Sequence, residues 1–228
     1  MLIFEQFGEK LKREEQRTKG AMEELRQALS LPDELKRVEA YDISNTQGFE
    51  SVGSMVVFED GRAKNSDYRK FKIKTVVGAN DYASMKEVIT RRLSHAIKEN
   101  TEGKTSSFTR LPDLILMDGG KTQVHAAEEV LLAFGMDIPV CGMVKDDRHR
   151  TRGLLFHEQE IRIPLTSEGF KLVTRIEDEV HRFAITYHRQ LRSKRLRYSE
   201  LDGIPGVGPK RKQELLKKYG SLTAIAQA

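Results

Sequence analysis

Residues 111 to 123 read LPDLILMDGGKTQ. Leu114, Ile115, Leu116 and Met117 form an unbroken apolar run, closed at once by Asp118 and the pair Gly119-Gly120. A run that is apolar at every position has no face to offer to water. It predicts a strand buried inside a sheet covered by helices on both faces, the usual setting of parallel strands. Asp118 then stands at the mouth of a buried strand. It is either a cap for the helix that follows or part of a site.

The flanking pattern extends this reading. RVEAYDIS (37 to 44), SVGSMVVFED (51 to 60) and SDYRKFKIKTV (66 to 76) are strand-like runs joined by short, turn-rich links. They predict an antiparallel meander. DYASMKEVITRRLSHAIKEN places Met85, Val88, Ile89, Leu93, Ala96 and Ile97 at helical spacing, with Asp81 at the expected cap. After the apolar run, KTQVHAAEEVLLAFG reads as a helix, PVCGMVK (139 to 145) as a second buried strand and DDRHRTRG (146 to 153) as a polar loop. LLFHEQEIRIPL reads as a small hairpin. A long helix is expected from Ser167 to about Arg197, with Ile176, Val180, Phe183, Tyr187 and Leu191 as its core stripe. The order, three strands and then alternating helices and strands, implies an α/β fold with a mixed sheet flanked by helices. Residues from about 5 to 30 are charged, with Leu11, Met22, Leu25 and Leu29 scattered among them. They read as a helix with a thin apolar stripe, an arm rather than core, and such a start suggests a piece of something larger.

Charge bounds the function. Hydrophobic content is 38% and charged content 32% over 228 residues, which fits a soluble globular protein. Apolar runs are too short to span a bilayer, and no signal-peptide pattern opens the chain. One cysteine, Cys141, excludes an intrachain disulfide and a cysteine-rich zinc site, and suits a reducing, cytoplasmic setting. Net charge is +5, yet residues 182 to 218 carry eleven Lys/Arg against three Asp/Glu. A basic C-terminal stretch on a mildly acidic body points to a polyanion, nucleic acid first.

Asp42 stands out because alternation puts it on the same strand face as Val38 and Ala40, where an unpaired charge is costly. In a mixed sheet the strands carrying Asp42 and Asp118 can be neighbours. Two carboxylates held close repel unless they share a proton or a cation, and oxygen ligands select Mg²⁺ or Mn²⁺. Pairing of Asp42 with an arginine, and helix capping by Asp118, are the structural alternatives. On the long helix, His181 and His188 lie seven apart on one face, with Glu177 and Asp178 one turn before His181. Spacing alone leaves the choice between them open. Hard-metal ligands beside a basic surface fit phosphodiester chemistry. Lys121, just after the glycine pair, is a candidate phosphate contact. GGKT lacks the full P-loop spacing, which excludes nucleotide binding through that motif.

LDGIPGVGPKRKQELLKKYGS, residues 201 to 221, combines Gly203, Gly206 and Gly208 with Pro209 at the start of a helix bearing Lys210, Arg211 and Lys212. Backbone N–H groups of a glycine turn at a helix N-terminus suit a phosphate. The segment resembles a helix-hairpin-helix motif, binding DNA without reading sequence. Gly206, Gly208, Lys210, Arg211 and Lys212 are its expected contacts.

Taken in order, the strings YDISNTQG, YRKFKIK, NDYASMKEVITRR, PDLILMDGGKTQ, MVKDDRHRT, DEVHRFAITYHR and IPGVGPKRKQELLKKYGS resemble the UvrC family, the nuclease subunit of bacterial nucleotide excision repair. The resemblance covers nearly all of residues 36 to 228. It implies the C-terminal half of such a protein. The expected parts are a linker helix over 1–33, a ribonuclease H-like endonuclease domain over 34–197 and one helix-hairpin-helix over 198–228. It implies the cut on the 5′ side of a lesion in double-stranded DNA, with UvrB as partner and UvrA indirectly. It also implies an Asp-Asp-His set at Asp42, Asp118 and His181, with Asp81 as a further acidic position. His181 is thereby preferred over His188. Asn80 replaces the first acid of the family's D-D-Y-A string, and GGKTQ replaces GGKGQ. The family's second hairpin, its N-terminal nuclease for the 3′ cut and its UvrB-contacting segment have no counterpart in these residues. A catalytically silent DNA-binding scaffold, and a ribonuclease H acting on RNA–DNA hybrids, are the competing readings.

Overall fold

The structure is a computed structural model that describes residues 2–46, 49–76, 78–148, 150–202, 204–219 and 224–225. Its centre is one eight-stranded sheet. The strands are β1 (Arg37–Thr46), β2 (Phe49–Glu59), β3 (Arg62–Ala63), β4 (Arg69–Lys72), β5 (Leu114–Met117), β6 (Val140–Lys145), β7 (Thr151–Phe156) and β8 (Gln159–Ile161). The helices are α1 (Leu2–Glu15), α2 (Ala21–Ala28), α3 (Asp81–Thr101), α4 (Lys121–Ala133), α5 (Glu168–Asp202) and α6 (Pro209–Tyr219). The chain divides into two compact units, Met1–Ala184 and Ile185–Ala228.

Strand order is β3-β2-β1-β5-β6-β7-β8, with β4 also pairing β2. The expected meander is present, since β2 is antiparallel to both β1 and β4. The middle is parallel: β1 pairs β5 with Tyr41 opposite Met117, and β5 pairs β6. All four residues of the β5 run are at most 1% exposed, as a two-sided apolar strand requires. Each such side chain contributes about 1.5–3 kcal/mol by leaving water.

Alternation sorts the rest of β1 onto two faces. Glu39 points toward α3, where Arg92 holds it, and Asp42 points the other way, toward α5. On α5, Leu172, Val173, Ile176 and Val180 are fully buried against the core. Tyr187 and Leu191 of the expected stripe lie outside the described side chains.

Three readings change. The N-terminal stripe is not an exposed arm: Ala21, Met22, Leu25 and Leu29 are at most 3% exposed and belong to the core, although Leu11 is 56% exposed. A short π-helical segment, Gln16–Gly20, separates α1 from α2, and its Thr18 is buried. Thr151 to Gly153, expected in a loop, begin β7, because pairing with β6 carries the strand back into polar sequence. The cap of α3 is Asn80, whose Oδ1 accepts from the Ala83 N–H at 3.0 Å, so Asp81 is the first helical residue.

Candidate metal centre

Parallel pairing of β1 and β5 brings the two carboxylates to one end of the sheet. The ladder reaches past Met117, since the Asp118 N–H donates to Tyr41 O at 2.9 Å. That bond fixes Asp118 one residue beyond the strand and next to Asp42. Close approach behind it depends on a glycine: a Cβ at Gly142 on β6 would meet Gly119 O at 2.8 Å. The turn after β5 can therefore lie against β6 only because residue 142 has no side chain. Asp118 does not cap α4. The N-cap there is Gly120, with no side-chain cap bond.

Asp42, Asp118 and His181 each offer a ligand atom within 4.8 Å of one another. Nε2 of His181 lies 3.0 Å from Asp118 Oδ2, within ion-pair distance, and its Nδ1 lies 4.0 Å from Asp42 Oδ2. Both carboxylates are buried, while the imidazole is about half exposed. The electrostatics split the pair. Burial, reinforced by the charge of Asp118, pushes the Asp42 carboxyl up to about 6. Burial would also raise Asp118, but His181 and Lys145 outweigh it and hold that carboxyl below its ordinary value. His181 is raised by its hydrogen bond to Asp118.

Two further groups complete the centre. Lys145, the last residue of β6, sets its ammonium against Asp118 Oδ1 and 3.3 Å from Glu177 Oε1. The Asp118 contact is one of charge, since Oδ1 has no aligned hydrogen-bond donor. Glu177 is buried and accepts from Thr151 Oγ1 at 2.6 Å. Lys145 and Thr151 carry no distinguishing pattern in the sequence. The available signal was Lys145 at the end of a buried strand adjacent to the one that delivers Asp118.

The donor set suits a hard divalent cation. Its two carboxylates are the ligands that Mg²⁺ or Mn²⁺ take, and the imidazole adds one nitrogen ligand. Asp81 is exposed and outside the three-residue cluster, although its charge helps raise Asp42. Lys121 is exposed and paired with Glu158 at 2.9 Å, which also lies 3.3 Å from His125 Nε2. The side chain of His188 lies outside the described residues. In the second unit, Gly206 adopts φ +83°, a turn only glycine enters freely, and Arg211 Nη1 donates to Gly206 O at 3.0 Å. Gly208 and Lys210 are exposed, whereas Lys212 is only 6% exposed.

A sequence model of the UvrC RNase H endonuclease domain matches residues 26–185. UvrABC system protein C of Clostridium perfringens (strain SM101 / Type A) is 53% identical, over 100% of this chain and 38% of that protein. The protein of the same name from Lachnospira eligens is 57% identical, over 100% of this chain and 37% of its own length. This chain thus spans under two fifths of these relatives. Among solved structures, Ciona intestinalis endonuclease V bound to inosine-containing DNA aligns at TM-score 0.35 and 16% identity, covering 62% of this chain and 60% of that one. The catalytic domain of human endonuclease V aligns at TM-score 0.34 and 16% identity, covering 68% and 74%. Among the described residues, no helix is long and apolar enough to cross a membrane.

Proposed function

The chain belongs to the UvrC RNase H endonuclease domain family, and from that footing we propose that it is a divalent-cation-dependent DNA endonuclease domain. Its reaction is hydrolysis of a phosphodiester on the 5′ side of a lesion during nucleotide excision repair. The reading rests on the convergence of Asp42, Asp118 and His181, from three separate elements, within 4.8 Å. Asp42, Asp118 and His181 are the residues that would hold Mg²⁺ or Mn²⁺, with Asp81 as an outer carboxylate. When bound, such an ion supplies charge for the phosphate and a water made more acidic.

The protein's own groups prepare that chemistry. Asp42 and Asp118 hold buried negative charge at the end of the sheet, and the half-exposed His181 borders solvent beside them. His181 is fixed by Asp118, so its ring presents the same edge to each substrate. Lys145 offsets one of the two carboxylate charges, so an incoming phosphate meets less repulsion. The exposed Lys210 and Arg211 of the second unit would hold the duplex through phosphates. UvrB and UvrA are the partners that would deliver a lesion to a full-length protein.

The test places Asp42→Asn, and separately His181→Ala, in a full-length protein with the lesion-loading partners, Mg²⁺ and an end-labelled damaged duplex. The 5′ cut should fall about 100-fold or more, with the 3′ cut retained. Retention of both cuts would leave the domain a DNA-holding scaffold.

A further inference from the structure

The brace behind Asp118 has an order that the three candidate ligands do not need. It runs from Thr151 to Glu177, Lys145 and Asp118, through β7, α5, β6 and β5 in turn. Helix α5 supplies both His181 and, one turn earlier, Glu177. The element that brings a ligand therefore also brings the group that restrains the lysine. Lys145 has two carboxylates to choose between. Glu177 is itself tied by Thr151, so the ammonium is held from behind as well as in front.

A fixed positive charge at this point acts in two ways. It relieves the repulsion between Asp42 and Asp118, which keeps Asp118 in its pose. It also repels a divalent ion approaching the same carboxylate. Resting on the metal-site reading above, we propose that Lys145 is a positioning residue: a restrained charge, held by Glu177, that sets how tightly the Asp42–Asp118–His181 site takes a divalent cation.

The two ends of the brace should then act in opposite directions. Lys145→Met removes the competing charge and leaves Glu177 free to attract cations. Glu177→Gln releases Lys145 to pair with Asp118 alone. A lysine that merely supported the fold would weaken ion binding when replaced, by loosening Asp118.

The experiment titrates the whole 228-residue chain with Mn²⁺ alone, followed by the electron paramagnetic resonance of the free ion. Lys145→Met should bind about tenfold more tightly than wild type. Glu177→Gln should bind several-fold more weakly, and Lys145→Arg should stay close to wild type. Weaker or unchanged binding by Lys145→Met overturns the inference. If that variant does not fold, Lys145→Gln takes its place: tighter binding supports the brace, and unchanged or weaker binding overturns it. Should wild type show no saturable Mn²⁺ site that Asp42→Asn removes, the metal-site reading itself falls and takes the inference with it.

Discussion

Asp42 is a carboxylate that the folded chain holds at a disadvantage. Its carboxyl titrates at about 6 in the fold, above its ordinary 3.8. Between those values the native state keeps a proton that the unfolded chain has released. Burial of Asp42 therefore costs little below pH 4. The cost grows as pH rises and reaches about 3 kcal/mol above pH 6. Asp42→Asn should then stabilise the metal-free chain at pH 7.5, raising Tm by roughly 5–10 °C, with little change at pH 4. Thermal unfolding in chelator at the two pH values checks this. A variant no more stable than wild type at pH 7.5 would mean that Asp42 is already compensated. Adding Mg²⁺ should favour wild type selectively, because only it binds the ion well. This residue was legible in sequence because a charge on an apolar strand face is conspicuous, as was Asp118 at a strand end. Lys145 and Thr151 were not. A lysine at a strand terminus and a threonine in a polar stretch look ordinary until strand order sets β6 and β7 beside β5.

At the scale of elements, α3 is anchored to the sheet by charge as well as by apolar packing. Arg92 is 1% exposed and donates to Glu39 at 2.8 and 3.1 Å. It also donates to the carbonyls of Phe108 and Arg110, each at 2.7 Å. Glu39 is fully buried and accepts in addition from Tyr41 Oη and Arg37. Arg92→Met leaves the buried Glu39 with only Tyr41 and Arg37 and strands two carbonyls, and should cost about 3–5 kcal/mol. Replacing Glu39 as well, as Glu39→Met/Arg92→Met, should recover part of that loss, because the pair's desolvation then disappears. Denaturant unfolding of the single and double variants measures both. A double variant worse than the sum of its parts would show that Glu39 is held chiefly by its other partners. The helical period of α3 was readable in sequence, and so was its place between the meander and β5. Its buried arginine was not, because arginine in a helix usually marks the solvent side. The same bias hid the packing of α2, where a charged composition masked a stripe of Ala21, Met22, Leu25 and Leu29 that the core absorbs.

For the molecule as a whole, charge is concentrated where the second unit lies. Residues 182 to 218 carry eleven Lys/Arg against three Asp/Glu, an imbalance the linear sequence displays without any structure. What the sequence could not tell is which of the cations at the start of α6 face solvent. Lys210 and Arg211 are exposed at the start of α6. Lys212 is 6% exposed and engaged in an interaction of its own. If the unit holds DNA through phosphates, each lost contact should reduce the slope of log affinity against log salt by about 0.9. Lys210→Ala/Arg211→Ala should therefore flatten that slope by one to two such contacts, and weaken binding equally for unrelated duplex sequences. Lys212→Ala should leave the slope near wild type and lower the melting temperature instead. Fluorescence anisotropy of two unrelated duplexes across a salt series separates the cases. A slope untouched by Lys210→Ala/Arg211→Ala would move the electrostatic footprint off the second unit and onto the first. The glycine turn would then serve to join α5 to α6 rather than to hold a phosphate.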